Sequence, residues 1–521
     1  MKTIFLLNEK QRFLSWFETA LWSIFLCSLT GILFTFVLKG DLSFGSDEAN
    51  QFDYAHRWGR ADIFGDCCRN WKYLSGLRLW TAWAMDRLTG GWMLAVRLNS
   101  VLIALIAAGL WILLLYRRVS KRAALGMALA LAIPPVCASF YFTVYDGRML
   151  IILFGGILAL GAGRWLKNIV SSVIFGLLVG WGWWESYFIV FFALPVLVYE
   201  FSAYKKNDLT KSLKNLIPVF FGVIAGSSYG YFENLRHAEF IPGYLHWGLA
   251  NETEILSHLK LFWEVLPQFW NGNIPYGYFQ NSVLGLQIDP MESKPYSELL
   301  RIWTWVTFTF SFFGFYQLYR NDKEKRSFVC LTLGPAALFF FFFVFGSQVW
   351  DALSFRYLSF FILLVPMGFG LSVYYLFRKR KVIAILALAV WIAGYGFILF
   401  HRIQRLPDFF PSKIIERGLD QTGINAGYAD YWVSEVTRYL SGNRLAIVPY
   451  NADPFSCSAY KRAHFESKIG LIILEGLDRP QLIEKAQIEI IKSGYFPVKK
   501  WNFEGGWYIV EFHRKVIGEK G

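Results

Sequence analysis

Residues 16–38 read WFETALWSIFLCSLTGILFTFVL, and shortly after them comes Gly45-Ser46-Asp47-Glu48-Ala49-Asn50. The first stretch is long and apolar enough to cross a hydrocarbon core of about 30 Å as a helix. It is too long for a signal-peptide core and no small-residue cleavage site follows it, so it reads as a retained span. Two adjacent carboxylates therefore stand where a membrane helix leaves the bilayer.

Working outward, the chain repeats the theme. It is 55% hydrophobic and only 17% charged, against about one quarter charged in a typical soluble protein. Further apolar runs are Val96–Tyr116, Ala123–Phe142, Met149–Ala162, Ile169–Trp184, Tyr187–Tyr199, Leu216–Phe232, Leu300–Tyr319, Phe328–Phe345, Tyr357–Phe377 and Val382–Phe400. They predict a polytopic α-helical membrane protein with about eleven transmembrane helices. Alternate connections are short and basic: Lys10 and Arg12, Arg117 to Arg122, Arg164 and Lys167, Lys205 to Lys214, Arg320 to Arg326, and Arg378 to Lys381. The positive-inside rule puts this set, with the N-terminus, in the cytoplasm, and the odd number of spans puts the C-terminus outside. The net charge of +14 is thus scattered among loops, which excludes a nucleic-acid-binding reading.

The other connections hold the length. Residues 1–400 are expected to form the transmembrane domain, with large outer loops at 39–95 and 233–298. Residues 401–521 lose the apolar runs and alternate like a small extracytoplasmic α/β domain. There we expect helices at Ala429–Leu440 and Pro480–Lys492, and strands at Arg444–Pro449, Lys468–Leu474, Phe496–Phe503 and Trp507–Phe512. Cys67, Cys68 and Cys457 fall on the oxidising side, where one could bridge the first loop to the C-terminal domain. Cys27, Cys137 and Cys330 lie in apolar runs.

Charge is expensive inside a bilayer, and the span interiors carry almost none. A transporter of lipid or polysaccharide would need polar residues along a path. Instead, charged groups gather on the predicted outer side: Asp47, Glu48, Arg69, Lys72 and Arg78 in the first loop, Asp146 and Arg148 in the next, then Glu185, Asp351 and Arg356. Ser46 is a suitable N-cap with Asp47 and Glu48 in the first turn behind it. Helical spacing then separates the pair onto adjacent faces. By spacing alone they are equally well two acidic residues that stabilise a surface helix.

The layout resembles the GT-C superfamily of membrane glycosyltransferases, in particular the family 39-like branch that includes protein O-mannosyltransferases and the lipid A aminoarabinose transferase. Asp47-Glu48 is similar in type and place to the acidic motif that opens the first outer loop of that family. Arg356-Tyr357-Leu358, followed by a span containing Pro366, is similar to an Arg-Tyr-Leu…Pro signature. Gly427-Tyr428-Ala429-Asp430-Tyr431-Trp432 is similar to a segment of the outer domain in some bacterial relatives.

The resemblance implies the reaction: inverting transfer of a sugar from a polyprenyl-phosphate-linked donor to a glycan, lipid or protein acceptor at the outer face of the cytoplasmic membrane. It implies Asp47 as general base and Glu48 as its neighbour on the acceptor. Arg356, Tyr357, Arg148, Arg69 and Lys72 would hold the donor phosphate. Asp146 and Glu185 would be a second acid or ion site. Some members use a divalent cation such as Mg or Mn and others do not, and this chain has no Asp-x-Asp motif to decide. No cofactor is required by the sequence. His237, His246 and His258 lack zinc-ligand spacing, and Trp247, Trp263, Trp270, Tyr276 and Tyr278 suit interface anchoring or sugar stacking. The alternative readings are a lipid or polysaccharide transporter and a non-catalytic envelope-assembly protein.

Overall fold

The computed structural model describes residues 9–38, 76–90, 95–143, 147–203, 214–236, 248–271, 294–347, 349, 357–404, 412–429, 433–434, 437–438, 441, 444–450, 466–474, 480–503 and 507–514. The chain divides into two compact units. The first holds Met1–Phe36, Ser100–Tyr278 and Asp289–Arg405; the second holds Val37–Asn99, Phe279–Ile288 and Leu406–Gly521.

The chain is mostly helix, in the order α1 (Glu9–Leu38), α2 (Gly76–Leu88), α3 (Ala95–Arg118), α4 (Lys121–Ala132), α5 (Val136–Thr143), α6 (Gly147–Gly161), α7 (Ile169–Glu185), α8 (Ile189–Ala203) and α9 (Leu216–Arg236). Then come α10 (Glu252–Lys260), a π-helical turn (Leu261–Val265), α11 (Leu266–Trp270), α12 (Lys294–Asn321), α13 (Arg326–Phe345), α14 (Phe361–Lys379) and α15 (Lys381–Gln404). Among the described residues four stretches are long and apolar enough to cross a membrane: Arg97–Arg118, Lys323–Phe345, Phe361–Lys379 and Lys381–His401. Five shorter apolar stretches lie on α1, α6, α7, α8 and α9. The outward faces of α9 and α15 display Phe220, Phe221, Leu386 and Phe397, each more than half exposed, as befits helices surrounded by lipid.

One expected span is broken. Ala123–Phe142 reads as continuous, but α4 stops at Ala132 and α5 starts at Val136. Pro134 and Pro135 supply no backbone N–H, and each disfavours helical backbone in the residue before it. Helix also appears inside both stretches read as long outer loops: α2 in the first, α10 to α11 in the second. Asn251 starts α10 by a capping box. Its side chain accepts from Glu254 N at 2.9 Å, while the Glu254 carboxylate accepts from Asn251 N at 2.8 Å.

The helix with the most complete burial is α14, where every residue from Phe361 to Ser372 is buried. Glycines allow it. A side chain on Gly368 would strike the Ser311 carbonyl of α12, and one on Gly370 would strike the Ala123 carbonyl of α4. These two glycines, one residue apart in Met367-Gly368-Phe369-Gly370, let α14 approach helices on two sides. Without a hydrophobic drive between helices in lipid, such close backbone contact is a main source of association.

The second unit contains a five-stranded sheet: β1 (Ala426–Ala429), β2 (Ala446–Pro449), β3 (Lys468–Leu474), β4 (Tyr495–Phe503) and β5 (Trp507–Arg514), ordered β2-β1-β3-β5-β4. β1 pairs in parallel with β2 and β3, and β5 runs antiparallel between β3 and β4. On one face Ile415 and Leu419 of α16 (Ser412–Thr422) pack with Ile447, Ile472 and Ile509. On the other, Ala486 and Ile490 of α17 (Pro480–Lys492) pack with Val448, Leu471 and Phe512. The result is a three-layer α/β/α arrangement. The expected strand at Arg444–Pro449 begins at Ala446, and Tyr495 and Arg514 extend the last two strands. Ala429 ends a strand instead of opening a helix, because β1 is held by ladders on both sides.

Candidate active site at one end of the helical bundle

Arg148 lies in the first turn of α6. Its guanidinium carbon sits 4.4 Å from the ring centroid of Phe188 and 5.2 Å from that of Tyr357. The two rings are 5.5 Å apart. The two rings are tilted 53° to each other, so the cation and the two rings form a three-membered cluster. Arg148 Nη1 also donates to Ser186 Oγ at 3.4 Å.

The partners come from two helix junctions, the α7–α8 turn and the entrance to α14. Ser186 is the C-cap of α7, and its backbone N–H returns to Gly182 O. Phe188 stands in the tight turn that leads into α8. Tyr357 precedes α14, the buried central helix, and is itself buried. Around Phe188 pack Tyr187, Phe191, Phe339 and Phe342 at centroid distances of 4.3, 5.3, 5.5 and 5.1 Å. Phe342 also meets the Tyr357 ring edge-on at 5.3 Å. The last turns of α13 thus close the aromatic cluster. Glu185, one residue before Ser186, is only 4% exposed.

Two residues anticipated from sequence, Arg148 and Tyr357, are therefore brought together, and a third, Glu185, ends α7 one residue before Ser186. Asp47, Glu48, Arg69, Lys72, Asp146 and Arg356 lie outside the described residues, as do Asp351, Cys67, Cys68 and Cys457. Arg78 is on α2. Phe188 and Ser186 were not anticipated. The run Trp183-Trp184-Glu185-Ser186-Tyr187-Phe188 held a signal in its density of aromatic and polar residues, but no residue type in it separates an aromatic cluster from a membrane anchor.

Other expected candidates serve packing. His258 is buried, with Nδ1 2.9 Å from Val344 O, which ties α10 to the end of α13. Trp270 is buried and donates from Nε1 to Tyr395 Oη at 3.0 Å. Trp263 is 57% exposed and stacks on Trp305 at 4.6 Å. Among the described residues no three His, Cys, Asp or Glu side chains are grouped to hold a metal. Cys27, Cys137 and Cys330 are free thiols.

The fold is similar to that of two solved membrane enzymes of the GT-C superfamily. The chain is similar to ArnT from Cupriavidus metallidurans, solved bound to undecaprenyl phosphate, with a TM-score of 0.57 over 94% of this chain and 97% of that one at 12% identity. It is also similar to the archaeal oligosaccharyltransferase AglB from Archaeoglobus fulgidus, solved with an inhibitory peptide and a dolichol-phosphate. There the TM-score is 0.50 over 95% of this chain and 74% of that one, at 14% identity. No protein-family model matches the sequence, and no curated protein matches it.

Proposed function

We propose that this chain is an inverting glycosyltransferase of the cytoplasmic membrane. It moves a sugar from a polyprenyl-phosphate-linked donor to an acceptor hydroxyl or amine at the outer face, with the C-terminal α/β domain on that side. The observation that carries the reading is the GT-C fold over nearly the whole chain, shared with a protein solved bound to undecaprenyl phosphate. The meeting of Arg148 and Tyr357 at the entrance to α14 supports it.

In this reading Asp47 takes the acceptor proton as the acceptor oxygen or nitrogen attacks the anomeric carbon. The bond from that carbon to the donor phosphate oxygen breaks, and its electron pair leaves with the phosphate. A single displacement inverts the anomeric centre. The departing oxyanion is already a good leaving group, so no general acid is needed, but its charge needs fixed donors and cations. Arg148, Arg356, Arg69 and Lys72 supply the charge and Tyr357 a hydroxyl. Glu48 orients the acceptor. Asp146 and Glu185 balance the arginines or hold a divalent ion such as Mg or Mn.

The test is transfer by purified Asp47→Asn protein from a polyprenyl-linked sugar. Loss of about 100-fold or more is expected for removal of a general base. Wild-type transfer by that variant, correctly folded, would overturn the assignment.

A further inference from the structure

The turn from α12 to α13 stands at a membrane surface, because Lys323–Phe345 is one of the four stretches long and apolar enough to cross a bilayer and Arg326 is near its start. The helix before that turn has two unlike faces. Thr304, Phe308, Ser311 and Phe315 of α12 are buried. Leu299, Ile302, Val306, Phe313 and Tyr316 follow one another at helical intervals on the outward side, each between 41% and 61% exposed. In a membrane protein an uncovered apolar stripe of this kind is a surface for lipid chains.

The stripe ends in cations. Arg320, one turn beyond Tyr316, donates from Nη1 to Tyr316 Oη at 3.3 Å. Arg326, across the turn, folds back onto the same helix. Its Nε donates to Tyr319 O at 2.9 Å, and its guanidinium carbon lies 4.6 Å from the centroid of the Tyr319 ring. Tyr319 is itself half exposed. Tyrosines, and not carboxylates, thus hold both guanidiniums at the foot of the stripe. Among the described residues the ion pair of this turn joins Lys325 to Asp322 at 2.6 Å, with Lys323 and Glu324 exposed beside it. Arg320, Lys323, Lys325 and Arg326 against Asp322 and Glu324 leave the turn net positive.

We propose that this foot binds the headgroup of an anionic glycerophospholipid, whose acyl chains lie along Phe313 and Val306. The phosphodiester accepts hydrogen bonds from the remaining N–H groups of Arg320 and Arg326 and from the Tyr316 hydroxyl. The tyrosine rings hold the cations at the interface, a depth that suits tyrosine. A zwitterionic headgroup brings its own cation, which a net positive turn repels, so an anionic headgroup is favoured. None of these residues belongs to the candidate active site.

The experiment titrates the delipidated full chain, in detergent, with phosphatidylglycerol or phosphatidylcholine and counts retained lipids by native mass spectrometry. One phosphatidylglycerol should be held about 10-fold more tightly than phosphatidylcholine. Arg320→Gln and Arg326→Gln should each weaken it about 5-fold, and the double variant about 30-fold. Arg326→Lys keeps the charge but loses the ring contact and the paired donors, so it should also bind more weakly. Melting temperatures without lipid should match the wild type, which separates lost binding from lost folding. Unchanged phosphatidylglycerol affinity in the double variant would overturn the proposal. So would equal affinity of the wild type for the two lipids, a result that needs no variant. Displacement of the bound lipid by equimolar undecaprenyl phosphate would assign the stripe to a polyprenyl carrier and overturn it as well.

Discussion

Glu200 Oε1 accepts the backbone N–H of Gly163 at 2.6 Å, and the same oxygen also accepts from the N–H groups of Arg164 and Trp165 at 3.1 and 3.0 Å. Glu200, wholly buried near the end of α8, thus ties down the turn between α6 and α7. Next to it Arg118, at the end of α3, donates to Ala162 O and lies over the Tyr199 ring at 5.7 Å. A carboxylate and a guanidinium thus both hold this end of the bundle.

Glu200→Ala would strip three part-buried N–H groups of their acceptor, and the loss of a hydrogen bond to a charged group costs up to about 1–3 kcal/mol. We expect a drop in melting temperature of several degrees, or failure to accumulate in the membrane. Glu200→Gln keeps a carbonyl acceptor without the charge and should fall between. Thermal unfolding of detergent-purified protein measures this, and wild-type stability of Glu200→Ala would refute the staple.

The parallel pair α7 and α9 packs through two small-residue patterns, Gly176-x-x-x-Gly180 and Gly222-x-x-x-Gly226. A side chain on Gly222 would meet the Val173 carbonyl and the Gly176 backbone, and one on Gly180 would meet the Val223 carbonyl. Gly222→Ala should destabilise by about 1–3 kcal/mol, the usual cost of overpacking. Gly109 faces open space, so Gly109→Ala should be neutral or stabilising by up to about 1 kcal/mol through helix propensity. The melting temperatures of the two variants should move in opposite directions or differ by several degrees.

Tyr357 offers a ring to Arg148 and a hydroxyl to the proposed phosphate. Tyr357→Phe keeps the ring and should lower transfer about 10-fold or more, the worth of a hydrogen bond to a charged group. Tyr357→Leu removes both and should fall further. Equal activity for Tyr357→Phe and wild type would confine Tyr357 to the ring contact.

Glu511 on β5 accepts from Trp501 Nε1 at 2.6 Å, His513 Nε2 at 2.7 Å and Lys468 Nζ at 3.2 Å. Burial pushes its carboxyl upward, but these hydrogen bonds and the Lys468 charge outweigh burial and hold it below its ordinary value. A carboxyl lowered by folding contributes stability that is present above its unfolded value and lost as the pH falls through the folded one. Hydrogen exchange of β4 and β5, corrected for intrinsic rates, should therefore quicken as the pH drops below the ordinary glutamate range. Glu511→Gln should flatten that dependence. An unchanged pH dependence in the variant would show that other groups set it.

Much of this was legible in the chain. Apolar length needs no partner to be recognised, because a lipid-spanning helix satisfies its backbone within itself. Lys468–Leu474 and Pro480–Lys492 are legible at their observed bounds because each carries a local signal, β-branched residues in the strand and apolar periodicity in the helix. The break at Pro134-Pro135 was also written locally, and the long apolar run masked it.

What tertiary structure decided are the relationships between distant residues. β1, Ala426-Gly427-Tyr428-Ala429, has no β-branched residue and weak strand propensity. It is a strand because β2 and β3 pair with it on both sides, and strand preference is largely a matter of context. Phe188 is one of 50 phenylalanines, and nothing in its neighbours separates it from a lipid-facing ring. Its place under Arg148 exists only when the α7–α8 turn, the end of α13 and the entrance to α14 converge. The sequence alone determined a membrane bundle with acidic and basic groups at its predicted outer ends. Packing determined which cation rests on which ring, because a contact across 40 residues or more is fixed by helix geometry and not by any local pattern.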